Sequence, residues 1–194
     1  MSLLDVLSSH LDDNALQLIS SRLGTDQNTT STAIAAAVPV LVGALAKNAA
    51  TGDGAQKLRD ALARDHDGSA LDNLPATLGP DKAAEGNAIL GHVLGDRQAM
   101  AEQAIAQATG LDASKVGPLL ATLAPVVMGA LGRVARDRGL DAGGLTAVLE
   151  GEKSALGSQA PGVMGIVTRL LDRNQDGSVL DDVGGMIGKV FGRK

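Results

Sequence analysis

The chain has 194 residues, a net charge of −5, no cysteine and a single aromatic residue, Phe191. The acidic balance argues against a general nucleic-acid binder and against an anionic membrane surface as partner, because both need a basic face. The lack of cysteine excludes disulfides, thiolate metal sites and cysteine nucleophiles. With 44% hydrophobic residues and 25 glycines, the core must be built from small aliphatic side chains on closely packed helices.

The beginning of the chain predicts no targeting segment. Residues 1–5 lack a basic region followed by a long apolar run, so no secretory signal is expected. No segment reaches about 18 consecutive apolar residues, the length that spans a bilayer. We therefore expect a cytoplasmic protein without a membrane span.

The first third of the chain predicts three helices. Apolar residues at three- and four-residue spacing indicate a short amphipathic helix over residues 3–11. Asp12 then supplies a cap for a second helix, which Gly24 closes. The Ala- and Val-rich stretch 29–49 predicts a longer helix. Pro39 should kink it or divide it into two abutting helices, because proline removes a backbone hydrogen bond and clashes with the preceding turn.

The middle of the chain predicts an irregular crossing followed by more helices. Residues 75–85 are rich in proline, glycine and charge, as in a linker. Short apolar helices are predicted over 89–94 and 100–109, and Pro125 repeats the interruption seen at Pro39. Sustained alternation of β-branched residues occurs nowhere, so the predicted fold class is all-α.

Three blocks of sequence recur in the same order and predict an internal duplication. The matched blocks are 19–26 with 105–112, 38–45 with 124–131, and 67–72 with 176–181. The first two pairs lie 86 residues apart and the third 109, which predicts an insertion in the second copy around residues 150–165. The predicted organisation is a first helical copy over 1–74, a connecting segment with a short apolar helix over 75–99, and a second copy over 100–194 that carries the acidic loop and a C-terminal helix or tail.

Residues 172–178, Asp-Arg-Asn-Gln-Asp-Gly-Ser, have the pattern of an EF-hand-like calcium loop. Such a loop directs oxygen ligands from alternating positions at one ion and needs glycine at its sixth position. The closing Glu is replaced by Val183, so two neighbouring aspartates must take its place. The predicted Ca²⁺ ligands are Asp172, Asn174, Asp176, Ser178, Asp181 and Asp182.

The first copy carries a weaker version of this loop, with Ala63 at the first position. Its candidate ligands are Asp65, Asp67 and Asp72. Both loops also have an interpretation without an ion, because Asp-Gly favours turns and Ser-x-x-Asp is a helix-capping box, as at Ser69 and Asp72. Capping explains the first loop better. In the second loop both interpretations stay open, since capping does not account for Asp172 and Asn174.

Residues 104–116 resemble a helix-turn-helix with Gly110 at the turn. A DNA-reading helix carries basic or amide side chains in its first turns, and here only Lys115 qualifies. Two bundle helices joined at a corner is therefore the favoured interpretation, and a helix-turn-helix-like DNA-binding protein is the alternative.

The sequence predicts no enzyme. His10, His66 and His92 have no metal-binding partner at helical spacing, and His66, inside the weaker loop, is expected to be solvated. No nucleophile elbow, phosphate-binding loop or dinucleotide fingerprint is present.

Residues 86–95, the Leu-Ala-Pro block at 123–125 and both Asp-Gly-Ser-x-Leu-Asp loops resemble bacterial domain-of-unknown-function family 937, with YidB-like proteins as distant relatives. The resemblance implies an α-helical bacterial protein without an assigned activity, and it transfers no catalytic residue. We expect a non-enzymatic helical protein that binds calcium at the second loop and self-associates through small-residue helix faces.

Overall fold

The computed structural model describes residues 1–159 and residue 165, and within them the chain contains helices and no strands. The predicted calcium loop at 172–182 lies outside the described residues, as does the C-terminal segment. The α-helices are α1 (Leu3–His10), α2 (Asp13–Leu23), α3 (Gln27–Ala49), α4 (Gly54–Asp65), α5 (Leu74–Thr77), α6 (Ala83–Val93), α7 (Gln98–Thr109), α8 (Ala113–Arg138) and α9 (Ala142–Gln159). Short 3-10 turns cover Ser69–Asn73, Pro80–Lys82 and Gly95–Arg97.

The first helices begin and end where their capping residues predict. The Ser2 hydroxyl accepts a hydrogen bond from the Asp5 backbone at the start of α1, and the Asp12 carboxylate caps α2 in the same way. At the end of α2, Gly24 adopts a left-handed conformation with a φ of 59°, which residues with a Cβ rarely adopt. The Asp26 carboxylate then caps α3.

The long helices α3 and α8 run without a break through their prolines, so the alternative of two abutting helices at Pro39 is wrong. Each is long and apolar enough to cross a bilayer by length and composition. However, 72% of the apolar window in α3 and 83% of that in α8 are buried inside the protein. These two helices form the core of the fold, and such burial weakens the case for a membrane span.

The other helices pack around α3 and α8. Helix α9 covers α3, α6 covers α8, and both α2 and α7 contact the two long helices. Helices from both predicted copies contribute to one continuous core, which consists of Leu, Val, Ile, Ala and one Met. The sequence expectation of an aliphatic core is confirmed.

Close helix approach depends on glycine where α6 crosses α8. A Cβ on Gly86 would lie 1.9 Å from the carbonyl oxygen of Ala121, which is far shorter than any non-bonded contact. The missing side chain therefore sets the separation of these two helices. This contact holds α6 against α8 and so positions Glu85 in its first turn.

The N-terminal helix is attached to α9 through a buried carboxylate. Glu152 is almost fully buried, and its Oε1 accepts a hydrogen bond of 2.7 Å from the backbone nitrogen of Leu3. A negative charge is favourable at the N-terminus of a helix, where backbone N–H groups lack partners. The beginning of the chain is thereby fixed to the far end of the described region.

Candidate ligand-binding site

The segment that follows α4 packs directly on the backbone of α8. Helix α4 ends at Asp65, and the His66 backbone nitrogen donates the last helical hydrogen bond to Leu62. Gly68 has a φ of 98° and lies against Arg133 so closely that a Cβ would be 2.8 Å from the Cβ of that arginine. A Cβ on Gly132 would lie 1.7 Å from the carbonyl oxygen of His66. The two glycines therefore allow the chain to place His66 beside α8.

Two arginines of α8 hold this loop. The Arg133 guanidinium donates a 3.0 Å hydrogen bond from Nη2 to the Gly68 carbonyl and forms an ion pair with Asp72. Arg136 donates a 2.8 Å hydrogen bond from Nη1 to the Asp67 carbonyl. The two guanidinium groups therefore bind oxygen atoms of the loop that a metal ion would need as ligands.

The carboxylates of the weaker predicted calcium loop are each engaged with protein groups. Asp65 forms an ion pair of 2.7 Å with Arg64. Asp67 accepts a 3.0 Å hydrogen bond from the Ser69 backbone, and hydrogen bonding from Ser69 lowers the pKa of Asp67. Asp72 pairs with Arg133. In the described part of the chain, no group of three or more His, Asp or Glu side chains is arranged to hold a metal ion.

The predicted capping box at Ser69 and Asp72 is wrong. The 3-10 turn begins after Gly68, and no side chain caps it. Asp72 lies next to Arg133 of α8 instead, because a guanidinium offers a stronger, charge-assisted partner than a backbone N–H group. A long-range partner of this kind cannot be read from local sequence.

The expectation that His66 is solvated is also wrong, since only 9% of this residue is exposed. Burial lowers the pKa of His66, and the nearby carboxylate of Glu85 offsets this only in part. The ring is therefore neutral near pH 7. Its Nδ1 lies 3.7 Å from Glu85 Oε1, which is too far for a hydrogen bond. Among residues 1–159, the imidazole makes no hydrogen bond to any other group.

Glu85 places a half-buried carboxylate opposite His66. It lies in the first turn of α6, a position where helix geometry favours an acidic residue. Its Oε2 accepts a 2.5 Å hydrogen bond from the Lys82 ammonium, while Oε1 faces His66 without a hydrogen bond from described residues. One carboxylate oxygen and one imidazole nitrogen thus approach each other with neither bonded to the other.

His66 and Glu85 line a cleft of about 870 Å³ between the end of α3, α4 and α6. This size is within the range of small-molecule sites, which run from about 300 to 1,000 Å³. The apolar part of the lining consists of Leu45, Leu58, Ala61, Ala88, Ile89, Val93 and Met128. Charged side chains of both signs also line the cleft: the cations Lys57, Arg64 and Lys82 and the anions Asp53, Asp65 and Glu85. The cleft can therefore accept an apolar body and bind one polar group at its wall.

The structure places the remaining sequence candidates elsewhere or gives them other partners. The ammonium of Lys115, the single basic residue of the helix-turn-helix pattern, donates to the Gly24 carbonyl at 2.7 Å and to the Thr25 hydroxyl at 3.0 Å. It therefore satisfies oxygen atoms at and just after the end of α2. His10 hydrogen-bonds within α1, and His92 lines the cleft from α6.

Sequence reasoning missed the pairing of His66 with Glu85. The two residues belong to segments interpreted as a solvated loop and a linker, and neither segment has the periodicity that marks a buried face. The available signal is the pair of glycines, Gly68 and Gly132. Their need for close backbone approach becomes evident only once α4 and α8 are neighbours.

Comparison with known proteins gives one result. The family model described as bacterial protein of unknown function, DUF937, matches residues 5–134, which is more than half of the chain. No curated protein and no solved structure matches. The relation to YidB-like proteins stays a prediction. The match includes every described residue of the loop at 65–72, and Glu85 of α6 as well. The chain belongs to the DUF937 family of bacterial proteins of unknown function.

Proposed function

We propose that this protein is a non-enzymatic helical module that binds a small ligand in the cleft between α3, α4 and α6. One observation carries the proposal: the His66 imidazole is nine-tenths buried, lines the cleft and has no hydrogen-bond partner among the described residues. Among the described residues, the buried side-chain nitrogen or oxygen atom without a partner is Arg133 Nε, so the unpartnered ring nitrogens of His66 are accessible from the cleft. A ligand group that enters the cleft can therefore form a hydrogen bond with His66.

The lining of the cleft does not favour catalysis by a hydroxyl nucleophile. Among the described lining residues, the one hydroxyl belongs to Thr51, and its Oγ1 already donates to the Asn48 carbonyl at 2.9 Å. The described lining therefore offers no hydroxyl group beside a general base, which is the arrangement that activates such a nucleophile. His66 and Glu85 orient a ligand in this proposal and do not react with it.

A blocking substitution tests whether the cleft is the binding site. Ala88 is exposed and lines the cleft from α6, so Ala88→Trp fills the cleft without disturbing the core. Asn87 is exposed on the same helix but does not line the cleft, so Asn87→Trp is the matched control. Each protein is titrated with hexylamine, hexan-1-ol and hexanoate while the three histidine imidazoles are followed by NMR.

The proposal predicts that at least one of these probes shifts the His66 signals in the parent and in Asn87→Trp, and that Ala88→Trp loses the response. If none of the three probes shifts His66, or if Ala88→Trp responds like the parent, the cleft is not a binding site.

A second proposal concerns calcium and rests on the loop at 172–178. The predicted duplication pairs this loop with the one at 67–72, and local geometry that recurs 86 residues apart supports the duplication in its first matched block. Left-handed glycines end α2 and α7 at Gly24 and Gly110, and aspartates cap α3 and α8 at Asp26 and Asp112. We propose that the second loop binds calcium. The first loop is not part of this proposal, because Arg133 and Arg136 already donate hydrogen bonds to its carbonyl oxygens.

A further inference from the structure

We propose that the ligand of the cleft is an aliphatic ammonium compound whose charged nitrogen binds between Glu85 Oε1 and His66 Nδ1. This inference rests on the proposed function, and it names the chemical class of the ligand. It follows from three properties of the cleft: two converging acceptors, a fixed negative charge and an apolar lining.

The two acceptors are the first property. Binding in this way requires that the ammonium selects the neutral tautomer of His66 with its proton on Nε2, in which Nδ1 is an acceptor. Nδ1 lies 3.7 Å from Glu85 Oε1, and neither atom receives a hydrogen bond from another described residue. A donor with two N–H groups can bond to both at once. A primary ammonium supplies such a pair of donors, whereas a hydroxyl has one proton and a carboxylate has none.

The fixed negative charge is the second property. The Glu85 side chain is 33% exposed, and the Lys82 side chain that pairs with it is 47% exposed on a long flexible stem. Lys82 can turn into solvent at little cost, but Glu85 belongs to the cleft wall. A ligand ammonium is thus attracted to a charge that stays in place. A ligand carboxylate would instead lie against the half-buried carboxylate of Glu85.

The apolar lining is the third property. Leu45, Leu58, Ile89, Val93 and Met128 form a surface on which an alkyl chain gains burial. The other charged groups of the lining largely neutralise each other locally, as Lys57 pairs with Asp53 and Arg64 with Asp65. The charge preference is therefore decided at the Glu85–Lys82 pair, where Lys82 binds Oε2 and leaves Oε1 of Glu85 for a ligand ammonium.

Binding should depend on pH through His66. The charged groups around this ring are Glu85 from α6, Lys82 before α6, and Asp65 and Arg64 from α4. When His66 takes up a proton, Nδ1 ceases to be an acceptor and the ring repels an ammonium. Because burial lowers the pKa of His66, this happens below about pH 6.5. The affinity for an alkylammonium must therefore fall as the pH falls, whereas the affinity for a carboxylate would rise.

The test compares hexylamine, hexan-1-ol and hexanoate in the full chain, with His66 chemical shifts as the readout. Hexylamine should bind at least about tenfold more tightly than the other two, which is the value of a charge-assisted hydrogen bond. Glu85→Gln should lose that preference. Lys82→Met should increase hexylamine affinity by up to about fivefold, since an exposed ion pair competes only weakly. His66→Gln, followed by the methyl signals of Ile89 and Val93, should remove the fall in affinity below about pH 6.5.

The outcomes separate this inference from the proposal on which it rests. If hexanoate or hexan-1-ol shifts His66 as strongly as hexylamine, the cleft remains a binding site and the ammonium class is wrong. The class is also wrong if hexylamine binding strengthens as the pH falls. If none of the three compounds shifts His66, both the ligand class and the proposed function are wrong.

Discussion

The backbone of Gly132 lies so close to His66 that a Cβ at position 132 would be 1.7 Å from the His66 carbonyl oxygen. This contact presses the loop after α4 onto α8, and it fixes the buried imidazole that lines the cleft. The site therefore depends on an absent side chain at Gly132, near the C-terminal end of α8.

Gly132→Ala should destabilise the protein and displace His66. The added methyl group overlaps a backbone carbonyl, which cannot move without separating the loop from α8, and overpacking of this kind costs about 1–3 kcal/mol. Gly91→Ala is the control, because a Cβ there meets open space on α6 and should stabilise the helix by up to about 1 kcal/mol. Urea unfolding measures both. Equal free energies of unfolding for Gly132→Ala and the parent would contradict the contact.

The stability of the protein should fall as the pH drops below about 6.5, in part because of His66. The pKa of His66 is lowered in the folded protein. As the pH falls, the unfolded chain therefore takes up the proton first, which lowers the free energy of the unfolded state. This part of the free energy of unfolding is fully present above the pKa of His66 in the unfolded chain. It is lost as the pH falls toward the lower pKa of His66 in the folded protein. His66→Gln should reduce this pH dependence when the free energy of unfolding is measured at several pH values. If the free energy of unfolding depends on pH in the same way in His66→Gln and in the parent, His66 has the same pKa in the folded and unfolded states.

The first acidic loop should be held by Arg133 and not by calcium. Arg133→Met removes the guanidinium that binds Gly68 and Asp72, so it should lower the free energy of unfolding by about 1–3 kcal/mol. Asp72→Asn should cost less, about 1 kcal/mol or below, because Asp72 is largely exposed. Neither variant should change the response of the melting temperature to calcium. A calcium response that disappears in Asp72→Asn would place the ion in this loop.

Calcium should stabilise the folded chain through the second loop. A ligand that binds only the folded state adds about 2.7 kcal/mol at a hundredfold excess over its dissociation constant. Thermal unfolding in millimolar calcium and in chelator should therefore differ for the parent and agree for Asp172→Ala. Identical parent curves would rule out the ion, and a response retained in Asp172→Ala would place it elsewhere.

The helices were largely predictable because their signals are local. Asp12 and Gly24 bound α2, and the all-α class follows from apolar periodicity over whole segments. The site was not predictable, since it depends on contacts between distant segments. His66 and Glu85 meet only because α4 and α6 both pack on α8, and the Arg133 partner of Asp72 comes from 61 residues away. Local patterns, such as the capping box at Ser69, carry no information on these partners.

The most direct test of ligand binding in the cleft is to locate a bound probe by NMR. The protein is mixed with hexylamine near pH 7, and intermolecular nuclear Overhauser effects are recorded between the alkyl protons and the protein methyl groups. We predict contacts with Ile89, Val93 and Met128 together with a shift of the His66 imidazole, and we predict that Ala88→Trp abolishes both. Contacts elsewhere on the protein, with His66 unshifted, would contradict the assignment of this cleft as the binding site.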